Sequence, residues 1–99
     1  MYTTLRLYAG APGVAAQILA KRESVEKAMR AVPGFVGFRL MSTADGFASV
    51  TICEAKEGCE QTAQVAAAWL KENLPAVNVN APTIITGESH LSFGAKPSR

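Results

Sequence analysis

Histidine, cysteine and charge are all scarce in this sequence, and each scarcity removes a class of function. His90 is the only histidine. With no second His or Cys at ligand spacing, a zinc or other transition-metal site is not expected. The two cysteines, Cys53 and Cys59, stand six apart, which fits neither CxxC redox chemistry nor a zinc ligand set. Charged residues make up 18% of the chain, against about 25% in typical domains. The net charge of +2 comes from scattered Lys and Arg, with Lys21-Arg22 the only adjacent pair. No basic stripe forms, so nucleic acid is not an expected partner. No apolar run approaches the roughly 20 residues of a membrane span. The opening Met-Tyr-Thr-Thr-Leu-Arg lacks a charged leader followed by an apolar stretch. A cytoplasmic protein with free thiols and no membrane partner is the expectation.

What is present is a hydrophobic fraction of 48% in 99 residues. That length makes one domain, residues 1–99, with no room for two cores. A domain this small buries only about 60–70% of its unfolded surface, so it gains much from a second subunit. High apolar content with little solvating charge points the same way, to a homodimer.

Tyr2 to Ala9 alternates: Thr3, Leu5 and Leu7 share one face, and Tyr2, Thr4, Arg6 and Tyr8 the other. Period-2 patterning with β-formers predicts a strand. Gly10-Ala-Pro-Gly13 breaks it. Val14, Ile18, Val25, Met29 and Val32 then recur at helical spacing, which predicts one helix over Val14 to Val32. Pro33 ends it and Gly34 releases the chain. Phe35 to Met41 reads as a second strand and Phe47 to Glu54 as a third. Asp45-Gly46 between them signals a two-residue type I′ hairpin, with positive φ at both central positions. Both strands carry apolar residues on both faces, so both faces are expected to be covered, one by helices and one by a second subunit. A charged, Gly-containing turn over Lys56 to Cys59 leads into a helix from Glu60 to Leu74. Thr62, Val65, Ala66, Trp69, Leu70 and Leu74 lie on one side of that helix. A loop from Ala76 to Pro82, with Asn78 and Asn80, precedes a last strand over Thr83 to Phe93. Gly94 to Arg99 is expected to fray. The order β-α-β-β-α-β is the ferredoxin-like α+β arrangement. Right-handed crossovers place both helices on one face of a four-stranded antiparallel sheet in the order 4-1-3-2.

Arg6, Arg39, Glu88 and His90 are polar residues in apolar strands, and buried polar groups need partners. They form either a ligand-orienting cluster in a dimer cavity or a set of intersubunit or rim ion pairs. Tyr8 and Phe38 join Arg6, Glu88 and His90 as candidate substrate contacts. His90, the one imidazole, is a candidate base, or a satisfied strand-end residue. Trp69 is a candidate pocket wall between helix and sheet, or plain core. Cys59 stands near a helix start, where a thiol pKa can fall, but no partner base is visible. Gly34-Phe-Val-Gly-Phe38 is superficially like the Gly-aromatic strand of RNA-recognition domains, but it lies on the second strand without a basic residue ahead of it.

Four features resemble the dimeric α+β barrel proteins of the antibiotic biosynthesis monooxygenase type. They are Val32-Pro33-Gly34-Phe35 leading into Gly37-Phe38-Arg39, the Asp45-Gly46 hairpin followed by Ser49-Val50-Thr51-Ile52, the Ala66–Leu74 helix with Trp69, and Gly87-Glu88. The resemblance covers nearly the whole chain. It implies a homodimer whose sheets pack face to face, with a pocket in each subunit between sheet and helices. It also implies oxidation of a small aromatic, phenol- or quinol-type substrate by molecular oxygen, with no metal, flavin or other cofactor. Trp69, Asn73 one turn on, and Arg39 are then the candidate catalytic residues. Relatives that degrade haem use an Asn on the first strand and a His on the second helix. This chain has Thr3 and Thr4 on that strand and no His on that helix.

Overall fold

A computed structural model describes residues 1–77 and 79–95. Asn78 of the expected loop and residues 96–99 of the expected frayed tail lie outside the described residues. Strand β1 (Tyr2–Tyr8) follows the alternation and leads to helices α1 (Val14–Leu19) and α2 (Arg22–Arg30). The chain continues through β2 (Phe35–Ser42), β3 (Phe47–Cys53), α3 (Lys56–Asn73) and β4 (Thr83–Glu88). All pairings are antiparallel, in the order β2-β3-β1-β4. This is the expected 4-1-3-2 order read from the other edge, so the fold is the ferredoxin-like α+β arrangement.

Which face the helices cover is settled by burial. Thr4, Arg6 and Tyr8 of β1 are buried, as are their cross-strand partners Thr51, Ser49 and Phe47. Phe38 and Leu40 of β2 share that face by register. The apolar helix stripe closes over it, with Val14, Ile18 and Trp69 in one core cluster with Tyr8 and Phe47. The opposite face carries Leu5, Leu7, Val50, Ile52, Met41 and Ile85 by the same registers. Leu7, Met41 and Ile85 there are 44%, 48% and 53% exposed.

Four local expectations change. The single helix over Val14 to Val32 is two helices. The chain turns at Ala20-Lys21, and the Lys21 N–H reverts to the Ile18 carbonyl at 2.9 Å. Lys21 Nζ then reaches the Asn73 carbonyl at the end of α3, also at 2.9 Å. No Pro or Gly marks the site, and the step from Ile18 to Val25 is two helical turns whether or not the helix breaks there.

The hairpin is not type I′, because neither Asp45 nor Gly46 has positive φ. The connection is a four-residue loop, Thr43 to Gly46. Thr43 N–H donates to the Gly46 carbonyl at 3.0 Å, and Gly46 N–H donates to Thr43 Oγ1 at 3.1 Å. Gly46 is required for space instead: a Cβ there would run into the Tyr8 carbonyl oxygen. Asp45 is used tertiarily, its carboxylate accepting from Gly10 N–H at 2.8 Å.

Helix α3 starts four residues before the expected Glu60. Gly58 is not a turn residue but lies in its first turn. A Cβ at Gly58 would sit 3.0 Å from Cys53 Cβ and 3.3 Å from Cys53 Sγ, so the glycine lets the helix start pack on the end of β3. Finally, β4 stops at Glu88 rather than Phe93, because its ladder partner β1 ends at Tyr2.

Candidate functional site

Between the sheet and the helices, β1 and β3 present a floor of Arg6, Tyr8, Phe47 and Ser49. Tyr8 and Phe47 are cross-strand neighbours, and their rings stack with centroids 4.1 Å apart and 11° between planes. Trp69 of α3 and Ile18 of α1 roof a cavity of about 30 Å³ over this floor, room for about one water. A larger cavity of about 630 Å³ adjoins it between α3, the loop leading to β4, and β4 itself. Arg6, Tyr8 and Leu70 line both. Leu74, Val77, Val79 and Ile84 make the larger cavity mostly apolar, and Lys71 and Asn80 stand in its wall. That volume falls in the range of small-molecule sites. A third hollow of about 440 Å³ lies outside the core between α1, α2 and β2.

Arg6 is the unusual member of the floor. It is 1% exposed, and Nη2 donates to Thr51 Oγ1 at 3.0 Å. Among the described residues its Nε and Nη1 make no hydrogen bond, and the Ser49 Oγ directly across from it makes none either. Burial pushes the guanidinium pKa down, with the neighbouring Tyr8 pulling it partly back. Burial likewise raises the Tyr8 phenol above its ordinary value, against the pull of the Arg6 charge. Neither cavity touching Arg6 has an Asp, Glu or His in its lining. A buried cation with free donors, in an apolar, aromatic-floored space, suits an anionic or electron-rich ligand group.

The remaining candidates are distributed differently. Trp69 is in the cavity roof and 6% exposed, with Nε1 donating to Ser24 Oγ at 2.9 Å. Asn73 turns back on its own helix, Nδ2 donating to the Trp69 carbonyl at 3.0 Å. Phe38 lies in the wall of the small cavity. Arg39 is exposed on the opposite face of the sheet, paired in register with Val50. The parity that separates it from Arg6 follows from a register shift between Phe35 and Gly37, which inserts Val36 as an extra residue. Glu88 shares Arg6's face but pairs with Tyr2, whereas Arg6 pairs with Ile84. That separation is roughly 13 Å along the strand. His90 lies beyond β4 with its side chain 81% exposed, 4.0 Å from Glu88. Arg6, Arg39, Glu88 and His90 are therefore not brought together. Among the described residues no group of three His, Cys, Asp or Glu side chains gathers as metal ligands would. Both cysteines are free and buried. No helix among the described residues is long and apolar enough to cross a membrane.

Sequence reasoning missed Ser49 and the apolar loop wall. The signal for Ser49 was its antiparallel position opposite Arg6, which needs the β1–β3 register to see.

No family model and no curated protein matches the sequence. Solved structures do match in fold. A monooxygenase from the gene ActVA-Orf6 of Streptomyces coelicolor, in complex with nanaomycin D, is 16% identical with a TM-score of 0.65, over 96% of this chain and 91% of that one. The haem-degrader MhuD of Mycobacterium tuberculosis, with two haems in its active site, is 23% identical with a TM-score of 0.64, over 95% and 100%. SnoaB, a cofactor-independent oxygenase from Streptomyces nogalater, is 14% identical with a TM-score of 0.59, over 96% and 97%. The chain thus carries the fold of the antibiotic biosynthesis monooxygenase-like proteins, as the resemblance in its sequence implied.

Proposed function

We propose that this protein is a monooxygenase-like enzyme that oxidises a small phenol- or quinol-type aromatic with molecular oxygen, without a cofactor. The observation that carries the reading is the apolar, aromatic-floored cavity with one buried cation, in a fold shared with oxygenases. A substrate ring lies in the larger cavity with its oxygen toward Arg6. The ionised ring is electron-rich, and the cation stabilises the anion in a dry site. For an anthrone-type ring, a CH₂ carbon becomes a carbonyl. One oxygen atom enters the product, the other leaves as water, and the substrate supplies all four electrons. Tyr8, which lines both cavities, presents its hydroxyl beside Arg6, and Trp69 and Phe38 wall the small cavity behind them. Arg39, Glu88 and His90 belong in this reading only if a partner subunit completes the site, since within one chain they are remote from Arg6. Asn73 acts through Trp69, whose carbonyl it holds. The test is oxygen uptake by pure protein with a panel of anthrols and naphthols, where no uptake across the panel sinks the reading.

A second reading, a non-catalytic homodimeric module that binds an apolar ligand or simply assembles, is favoured by Trp69 itself. Its ring is in the core cluster and its N–H is already satisfied by Ser24. Replacing Trp69 with Phe separates the two: a naphthol affinity that does not change makes Trp69 core. In both readings the protein is a homodimer through the bare apolar face of the sheet.

A further inference from the structure

Arg6 Nε and Nη1 and the Ser49 hydroxyl, on cross-strand neighbours in the wall of the small cavity, make no hydrogen bond among the described residues, and no carboxylate lines either cavity that Arg6 touches. We infer that Arg6 and Ser49 form a seat for an anionic oxygen group, so that the ligand is an aromatic acid held by its carboxylate or ionised phenol oxygen. The inference rests on the reading above in placing the ligand in the cavity that Arg6 floors.

A guanidinium has five N–H donors and no acceptor, and it remains charged in proteins. Burying such a charge is tolerated only when it is paired and hydrogen-bonded. Here the acceptors near the guanidinium are neutral hydroxyls, Thr51 Oγ1 at 3.0 Å and the Tyr8 phenol beside it, and Nε and Nη1 make no hydrogen bond among the described residues. Ser49, directly opposite in the ladder and 3% exposed, leaves a hydroxyl free beside them. The strand carboxylate on the same face, Glu88, is remote and exposed. The bare face on which a second subunit would pack is across the sheet from Arg6. The missing counter-charge therefore comes with the ligand. The adjoining cavity of about 630 Å³ is mostly apolar and large enough for the ring system that carries it.

Calorimetric titration with benzoate, 2-naphthoate and anthracene-2-carboxylate, each beside its methyl ester, tests the seat. Pentafluorophenol, ionised at neutral pH, beside pentafluorobenzene tests the phenolate source. At least one acid is expected to bind about tenfold or more tightly than its neutral partner. Carboxylates alone, phenolate alone or both assign the source. Arg6→Met is expected to abolish that preference, and unliganded R6M to melt no lower than the parent, because it removes an unpaired buried charge. Ser49→Ala is expected to weaken the acid several-fold and leave the ester unchanged. No acid binding at millimolar concentration, equal binding of acid and ester, or a preference that survives in R6M overturns the seat. A steep fall in the R6M melting temperature also overturns it, since Arg6 is then a structural cation. Acid binding without oxygen uptake keeps the seat and sinks the oxygenase reading. Oxygen uptake that R6M does not alter does the reverse.

Discussion

At the scale of single residues, the buried face of the sheet is polar where a plain core would be apolar. Thr4, Arg6, Ser49 and Thr51 are all at most 3% exposed. Thr4 is satisfied by Thr86, hydroxyl to hydroxyl at 2.7 Å, while Arg6 and Ser49 are not fully satisfied. Unmet polar groups cost stability, which is how a binding site differs from a core. Burial also sets a pH limit. It raises the Cys53 thiol from 9.0 and the Tyr8 phenol from 10.0. Both groups are thus held neutral in the fold above the pH at which they ionise in the unfolded chain. Their contribution is complete below about pH 9 and is lost as pH climbs through the raised values. The urea midpoint is expected to be level from pH 7 to 8 and to fall above about pH 9, with Cys53→Ala removing the first part of the fall. A midpoint that stays level to about pH 11 contradicts this assignment. Gly46→Ala is expected to cost about 1–3 kcal/mol in urea unfolding, since the new methyl meets backbone, the Tyr8 carbonyl, rather than a side chain that can swing away.

At the scale of elements, the junction of β3 and α3 shows how a glycine can be read two ways. Between charged residues Gly58 looks like a turn, yet it lies inside the helix, against Cys53. Alanine there would gain about 1 kcal/mol of helix propensity but press on Cys53. Gly58→Ala alone is expected to be destabilising. In the background of Cys53→Gly, which removes both the Cβ and the Sγ, the same change is expected to cost less, giving a coupling of about 0.5–1 kcal/mol in a double-mutant cycle. Additive effects of the two changes would mean that the close approach is not limiting. The break between α1 and α2 belongs to this scale too. It lets Lys21 cap the end of α3 through the Asn73 carbonyl and brings Ser24 under the Trp69 indole. Both contacts join segments far apart in sequence, so no local pattern announces them.

At the scale of the whole molecule, one face of the sheet is covered by helices and the other is not. The uncovered face carries Leu5, Leu7, Val50, Ile52 and Ile85 together, a contiguous apolar patch of the kind that marks an interaction surface. Multi-angle light scattering at micromolar concentration is expected to give a dimer. Leu7→Lys with Ile85→Lys is expected to give a monomer with the Arg6 cavity intact, because that cavity lies on the other side of the sheet. A monomeric parent protein would remove the dimer from the proposal.

The order of elements and the sheet topology were legible in the sequence, because the periods of 2 and 3.6 are local and the crossover rule does the rest. Trp69 was legible as a residue facing the sheet from α3 for the same reason. What only the tertiary structure decided is which polar residues share a site. Alternation groups Arg6 with Tyr8 and Arg39 with Met41, but it does not say which group the helices cover. Nor does it show the extra residue at Val36 that puts Arg39 on the far side of the sheet from Arg6. Burial is a relation between elements, and so is the absence of a partner. Arg6 was a candidate from its place in an apolar strand, but only helices, sheet and register together enclosed it, left its donors unmet and parted it from Arg39, Glu88 and His90.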